Sequence, residues 1–234
     1  MTTTDAFPAH NRRKWLGGLA AGAAVAAWQT AAPGRLSAAQ SPAVDMSPRE
    51  ALGFLQAGNA RFVAGNSAAP NRDMGRLREV APRQTPFAAF LGCADSRVPI
   101  EIVFDQGFGD LFVTRIAGNV AATENIASLE FATQVLGAKV LYVLGHTSCG
   151  AVAAAASGAP VPGQISALFQ HLRPAVRAAK GDPALAVGEN VKLQAQTLVE
   201  ASTVISSLVT AGKLLVAGGI FDLQSGRVDP VELG

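Results

Sequence analysis

From residue 47 onward the chain alternates between unbroken apolar runs and stretches with helical period. Residues 87–92, 111–116, 140–145 and 214–219 are short, continuous hydrophobic segments, the pattern of strands covered on both faces. Between them, residues 124–136 repeat apolar groups at Leu129, Ala132 and Leu136. Ile165, Leu168, Phe169, Leu172 and Val176 form one helical stripe, and residues 187–211 make a further amphipathic stretch closed by Gly212. Ser47-Pro48-Arg49-Glu50 joins a capping serine, a proline at the first helical position and a glutamate three residues past the cap. That combination starts a helix, which should run to about Ala64 and stop at Gly65-Asn66. Residues 66–83 are polar and broken by Pro70 and Pro82, with Arg72, Arg76, Arg78 and Arg83 interleaved with Asp73 and Glu79. They read as a solvated connection rather than an anion site. Strands alternating with helices predict an α/β fold: a mainly parallel sheet flanked by helices, with an N-terminal helical arm.

The first 39 residues follow a different pattern. Asn11-Arg12-Arg13-Lys14-Trp15-Leu16 sets paired arginines before a bulky apolar pair, and residues 17–32 are rich in Gly and Ala. This is the pattern of a twin-arginine export signal. From Trp15 to Ala32 the strongly apolar aliphatics are Leu16, Leu19 and Val25, too few for a stable membrane anchor. Ser37-Ala38-Ala39 offers small residues for cleavage before Gln40. The expected organisation is therefore a signal peptide over residues 1–39, read by the export machinery, and a catalytic domain over residues 40–234 placed in a bacterial periplasm. The leader takes four of the nineteen basic and one of the seventeen acidic residues, leaving 15 against 16. A near-neutral domain of this kind lacks the basic footprint of a nucleic-acid binder.

The candidate chemistry sits just after the apolar runs. Cys93 follows the first, His146 follows the third, and Cys149 comes three residues later. In a parallel sheet, ligands gather at the carboxyl ends of the strands, so two thiols and an imidazole should meet on one edge. Two cysteines in an exported protein would ordinarily pair as a disulfide, but their placement beside His146 favours a metal. Sulfur and nitrogen donors with tetrahedral geometry suit zinc. The domain has no third cysteine, and its other histidine, His171, lies off the apolar stripe of its helix. Three protein ligands leave one position open, as in catalytic rather than structural zinc sites. Asp95 and Arg97 flank Cys93, and Asp95 is either a fourth ligand in a closed state or an acceptor that orients bound water.

These residues carry a resemblance. Cys93-x-Asp95-Ser96-Arg97, residues 104–115 (FDQGFGDLFVTR) followed by Ala117-Gly118-Asn119, and Gly145-His146-x-x-Cys149-Gly150 are together similar to β-class carbonic anhydrases over roughly residues 48–228. The resemblance implies one zinc per subunit, held by Cys93, His146 and Cys149, with Asp95 and Arg97 as the catalytic dyad. It further implies that Gln84, Phe112, Phe131 and Gly150 bind substrate, with Phe112 lining the pocket from the neighbouring subunit and Phe131 standing where some members carry a tyrosine. The implied reaction is reversible hydration of carbon dioxide to bicarbonate and a proton. The implied assembly is a homodimer or an oligomer of dimers, with sites at the interface and the helix from Pro48 packed on the partner. Two other readings share the same residues: hydrolysis of another linear triatomic such as carbon disulfide or carbonyl sulfide, and a zinc-stabilised assembly module without catalysis. A redox dithiol is disfavoured because there is no Cys-x-x-Cys pair.

Both tryptophans, Trp15 and Trp28, lie in the leader, and Tyr142 is the single tyrosine. Protein recovered after export and cleavage should therefore emit as a tyrosine-only chain. Indole emission from that material would show that the leader is retained.

Overall fold

The computed structural model describes residues 46–233. The leader and its cleavage site lie outside the described residues. The chain enters on α1 (Pro48–Val63), whose Ser47 cap and Glu50 form a reciprocal capping box. A connection containing α2 (Met74–Val80) leads to β1 (Ala88–Gly92), α3 (Ile100–Val103) and β2 (Leu111–Arg115). After α4 (Thr123–Glu130) come β3 (Val140–His146) and α5 (Gly150–Ser157). Three further helices follow: α6 (Phe169–Ala178), α7 (Pro183–Ala201) and α8 (Thr203–Thr210). The described chain closes with β4 (Leu215–Phe221) and β5 (Val228–Pro230).

Among the described residues the strands form one sheet in the order β2-β1-β3-β4-β5, parallel from β1 to β4, with β5 antiparallel at the edge. The chain runs from β1 outward to β2 and then crosses back to β3 on the other side of β1. Adjacent strands β1 and β3 therefore form the switch point, where a crevice opens at the carboxyl ends. All residues of β1 and β3 are buried, which explains why both read as unbroken apolar runs. Their side chains alternate between two cores. Ala88, Phe90, Val140, Tyr142 and Leu144 pack with α1 and α3, whereas Ala89, Leu91, Leu141 and Val143 pack with α4, α7 and α8. A third apolar cluster, built mainly from α5, α6 and α7, encloses Cys93 and Cys149 beyond the strand ends.

Helix α7 lies very close to the sheet. A Cβ at Gly145 would fall 2.8 Å from Val191 Cγ2, and one at Gly218 would fall 2.6 Å from Val191 Cγ1. The two missing side chains set the helix's depth. Helix α1 buries Ala51 and Leu55 in its own chain's core and leaves Phe54 exposed. Asn59 ties its far end down, donating to Val103 O and Gly226 O and accepting from Val228 N.

The structure departs from local expectation in several places. Residues 66–83 contain α2, capped by Asp73, and two of their arginines are held by other segments while Arg78 and Arg83 are exposed as expected. Arg72 reaches Gln106 O and Asp105, and Arg76 pairs with Glu79 and approaches Asp110. The apolar stretch over 187–211 is two helices, because Ser202 leaves helical geometry and caps α8 through Ile205 N. The stretch over 124–136 ends in a π-helical turn, Phe131–Val135.

Asp105 anchors the connection before β1. Its fully buried carboxylate accepts from Arg61 Nε at 2.7 Å and from the amides of Ala68 and Ala69 at 2.9 Å each. Burial alone would raise its pKa, but the Arg61 bond and the two amides outweigh it and the net shift is downward. Because the folded value lies below the unfolded one, this contribution is complete above the ordinary carboxyl range and fades as pH falls through the lowered value. Asp105→Ala should destabilise the protein by about 2–4 kcal/mol at pH 7, since it strands buried donors. The gap from wild type should shrink in acid, as urea unfolding at several pH values would record.

Candidate metal centre

Cys93 leaves the end of β1, His146 closes β3, and Cys149 stands at the N-cap of α5. Sγ of each cysteine and a ring nitrogen of His146 lie within 4.8 Å of one another, and all three residues are buried. Tetrahedral zinc, with bonds of about 2.3 Å to sulfur and about 2.0 Å to nitrogen, places its donors roughly 3.5–3.8 Å apart. The cluster is thus the right size.

The turn between His146 and Cys149 is held from β4. Thr147 N donates to Phe221 O, Leu223 N donates to Thr147 Oγ1, and Ser148 takes a left-handed φ of 55°. His146 Nδ1 lies 3.0 Å from Thr147 O. Donation from that nitrogen leaves Nε2 bare, fully buried and without a hydrogen-bond partner. An unpartnered imidazole nitrogen beside two sulfurs is a donor set that fits zinc. Cys93, His146 and Cys149 are placed to hold the ion.

The surroundings favour a negative sulfur at Cys93. The closeness of the two thiols is the largest reason that the Cys93 pKa is lowered and the Cys149 pKa raised. The Gly118 amide donates to Cys93 Sγ at 3.3 Å. At Cys149, the amides of Val152 and Ala151 in the first turn of α5 favour the charged form. Burial opposes a charged His146, yet the neighbouring Cys93 sulfur favours one and the net shift is upward.

Asp95 and Arg97 border the cluster. Arg97 Nε and Nη2 donate to the two carboxylate oxygens at 2.9 and 2.7 Å, and the Arg97 amide donates to Oδ1 at 2.9 Å. The guanidinium bond holds the Asp95 carboxyl far below the usual carboxylate range. Asp95 Oδ2 lies 3.8 Å from His146 Nε2. Arg115 fastens this loop from behind, donating to Cys93 O and Asp95 O.

A carbonic anhydrase family profile matches residues 88–228, a span that contains every one of these groups. The chain belongs to the β-carbonic anhydrase family. Among its relatives, carbonic anhydrase 2 of Mycobacterium tuberculosis is 37% identical over 189 residues, covering 77% of this chain and 91% of its own. The Mycolicibacterium smegmatis carbonic anhydrase is 36% identical over 191 residues, covering 78% and 93%. The fold is similar to a β-carbonic anhydrase of Aspergillus fumigatus at TM-score 0.63 and 28% identity, covering 78% of this chain and 91% of that one. It is also similar to the Coccomyxa β-carbonic anhydrase in complex with acetazolamide, at TM-score 0.60 and 27% identity, covering 80% and 86%. β-Carbonic anhydrases use zinc, and the donor cluster of this chain suits that use.

Other residues anticipated at the site are distributed unevenly. Gly150 adjoins Cys149, and a Cβ there would meet nothing within 4 Å. Phe112 pairs in register with Ala89, four residues short of Cys93, and its ring lies 6.4 Å from that of the half-exposed Phe131. This pair stands on the outer β2 side, and within one chain it is not brought to the cluster. Gln84 is exposed in the segment before β1. Arg115 and Gly118 entered the sequence reading only as members of a motif; their contacts to Asp95 and Cys93 are visible only in the structure.

Cys93→Ala or His146→Ala should remove stoichiometric zinc from the purified protein, as elemental analysis would measure. A variant that retained one zinc per chain would place the metal elsewhere.

Proposed function

We propose that this chain catalyses reversible hydration of carbon dioxide at the Cys93–His146–Cys149 centre. The observation that carries the reading is an ionised Asp95 clamped by Arg97 beside three buried metal donors. Zinc, when bound by these residues, lowers the pKa of water to about 7 and so supplies a nucleophile at neutral pH.

The chain's own residues then orient the reaction. Asp95 is charged throughout the neutral range, so it accepts a hydrogen bond and has no proton to give. An acceptor in that state receives a hydrogen bond from the attacking oxygen and turns a lone pair of that oxygen toward carbon. Arg97 supplies the fixed geometry through two parallel donors. The same bond engages both oxygens of Asp95, which weighs against permanent coordination of the carboxylate and therefore against a closed, non-catalytic module. The unobstructed space at Gly150 admits a small substrate against the first turn of α5.

The active unit in this reading is a homodimer. Support comes from β2, which is an edge strand flanked by half-exposed aromatics: Phe108 before it and Phe131 against Phe112. A partner docked along this edge would bring its own Phe112 toward the neighbouring centre. The reading also assigns residues 1–39 to export and the mature domain to the periplasm, on the strength of the paired arginines and the Ser37-Ala38-Ala39 cleavage pattern.

Asp95→Asn should keep its zinc and lose most of its turnover, on the order of 100-fold, as expected when a positioned acid–base or acceptor group is removed. Stopped-flow hydration assays would measure this. Because Asp95 is ionised far into the acid range, any loss of wild-type activity between about pH 8 and pH 6 should titrate with another group.

A further inference from the structure

We propose that Asn190 and Gln194 of α7 are positioning residues for the metal centre. They hold the turn at Gly118–Asn119 so that the Gly118 amide stays on the Cys93 sulfur, and the inference rests on Cys93 being a zinc ligand. Both side chains are almost fully buried, at 1% and 2% exposure. Asn190 Nδ2 donates to Gly118 O at 2.9 Å and approaches Asn119 Oδ1 at 3.4 Å. Gln194 Nε2 donates to Asn190 Oδ1 at 2.9 Å and to His171 O at 3.1 Å, while Gln194 Oε1 accepts from Ala121 N at 2.8 Å.

The turn needs such support. Gly118 and Asn119 are consecutive residues in left-handed conformation, with φ of 76° and 44°, an arrangement that persists only where the surroundings determine it. A Cβ at Gly118 would meet Leu172 at 3.1 Å and Ala151 at 3.3 Å, so a side chain cannot substitute for the outside bonds. Buried carboxamides are costly unless satisfied, and these two direct their bonds onto this turn and the segments beside it. They reach it because α7 lies deep against Gly145 and Gly218. An amide donating to a ligating thiolate draws electron density from sulfur and fixes its orientation. Asn190 and Gln194 thereby act on the zinc through Gly118, without touching it.

The test uses full-length mature protein loaded with cobalt or zinc. Asn190→Leu and Gln194→Met should shift the thiolate-to-cobalt charge-transfer band to longer wavelength. In competition with a chelator they should weaken zinc binding by roughly 10- to 100-fold. Ser202→Ala removes an equally buried, well-bonded polar group about 18 Å along α7 from Asn190, and it should lower the melting temperature while leaving band and affinity at wild-type values. Wild-type band and affinity in the α7 variants would overturn the proposal, as would an equal shift in Ser202→Ala. If Asn190→Leu does not fold, Gln194→Met decides alone. Wild-type protein that binds no stoichiometric cobalt and shows no thiolate band would overturn the ligand assignment itself, and this inference with it.

Discussion

Two sulfurs and a bare imidazole nitrogen buried within 4.8 Å of one another are the constraint around which the molecule is organised. A polar atom left unpaired in an interior, as His146 Nε2 is here, is unfavourable by about 1–3 kcal/mol, and an apolar cluster from α5, α6 and α7 surrounds the donors. A common ion held by the three atoms would satisfy them. Side-by-side placement of β1 and β3 delivers Cys93 and His146 to one edge. The turn locked by Phe221 and Leu223 then brings Cys149 back beside them.

Around the donors runs a layer of fixed dipoles and charges. Backbone amides at Gly118, Ala151 and Val152 favour the thiolates, and Arg97 keeps Asp95 ionised and oriented. Arg115 fastens the Asp95 loop through two carbonyls. Preorganised groups of this kind lose no reorganisation energy at the moment of reaction. The chemistry therefore depends on backbone shape as much as on the ligands, and the depth of α7 against two glycines becomes part of the site.

Legibility in the sequence followed the range of the interactions responsible. Helix α1 was visible because its capping box lies within four residues. Strands β1 and β3 were visible because burial on both faces leaves unbroken apolar runs, and the partly buried β2 and β4 because their runs are still mainly apolar. Strand β5 was missed: it is three residues long and defined by pairing with β4. The break at Ser202 lies in an otherwise continuous helical period, and Ser202 also donates to Glu130 on another element. Arg72 and Arg76 resembled a solvated face because Asp105 and Asp110, which hold them, come more than 30 residues later.

The sequence by itself determined the class of fold, the candidate metal donors and the Asp95–Arg97 neighbour pair. Each of these depends on local patterning: apolar runs set strands, and residues directly after parallel strands must emerge at the same edge. Tertiary structure alone decided that His146 Nε2 is left bare, that Gly118 donates to Cys93, and that Asn190 and Gln194 support that donor across more than 70 residues of chain. Hydrogen bonds between distant segments leave no periodicity to read, because their partners are chosen by packing depth and backbone conformation rather than by spacing.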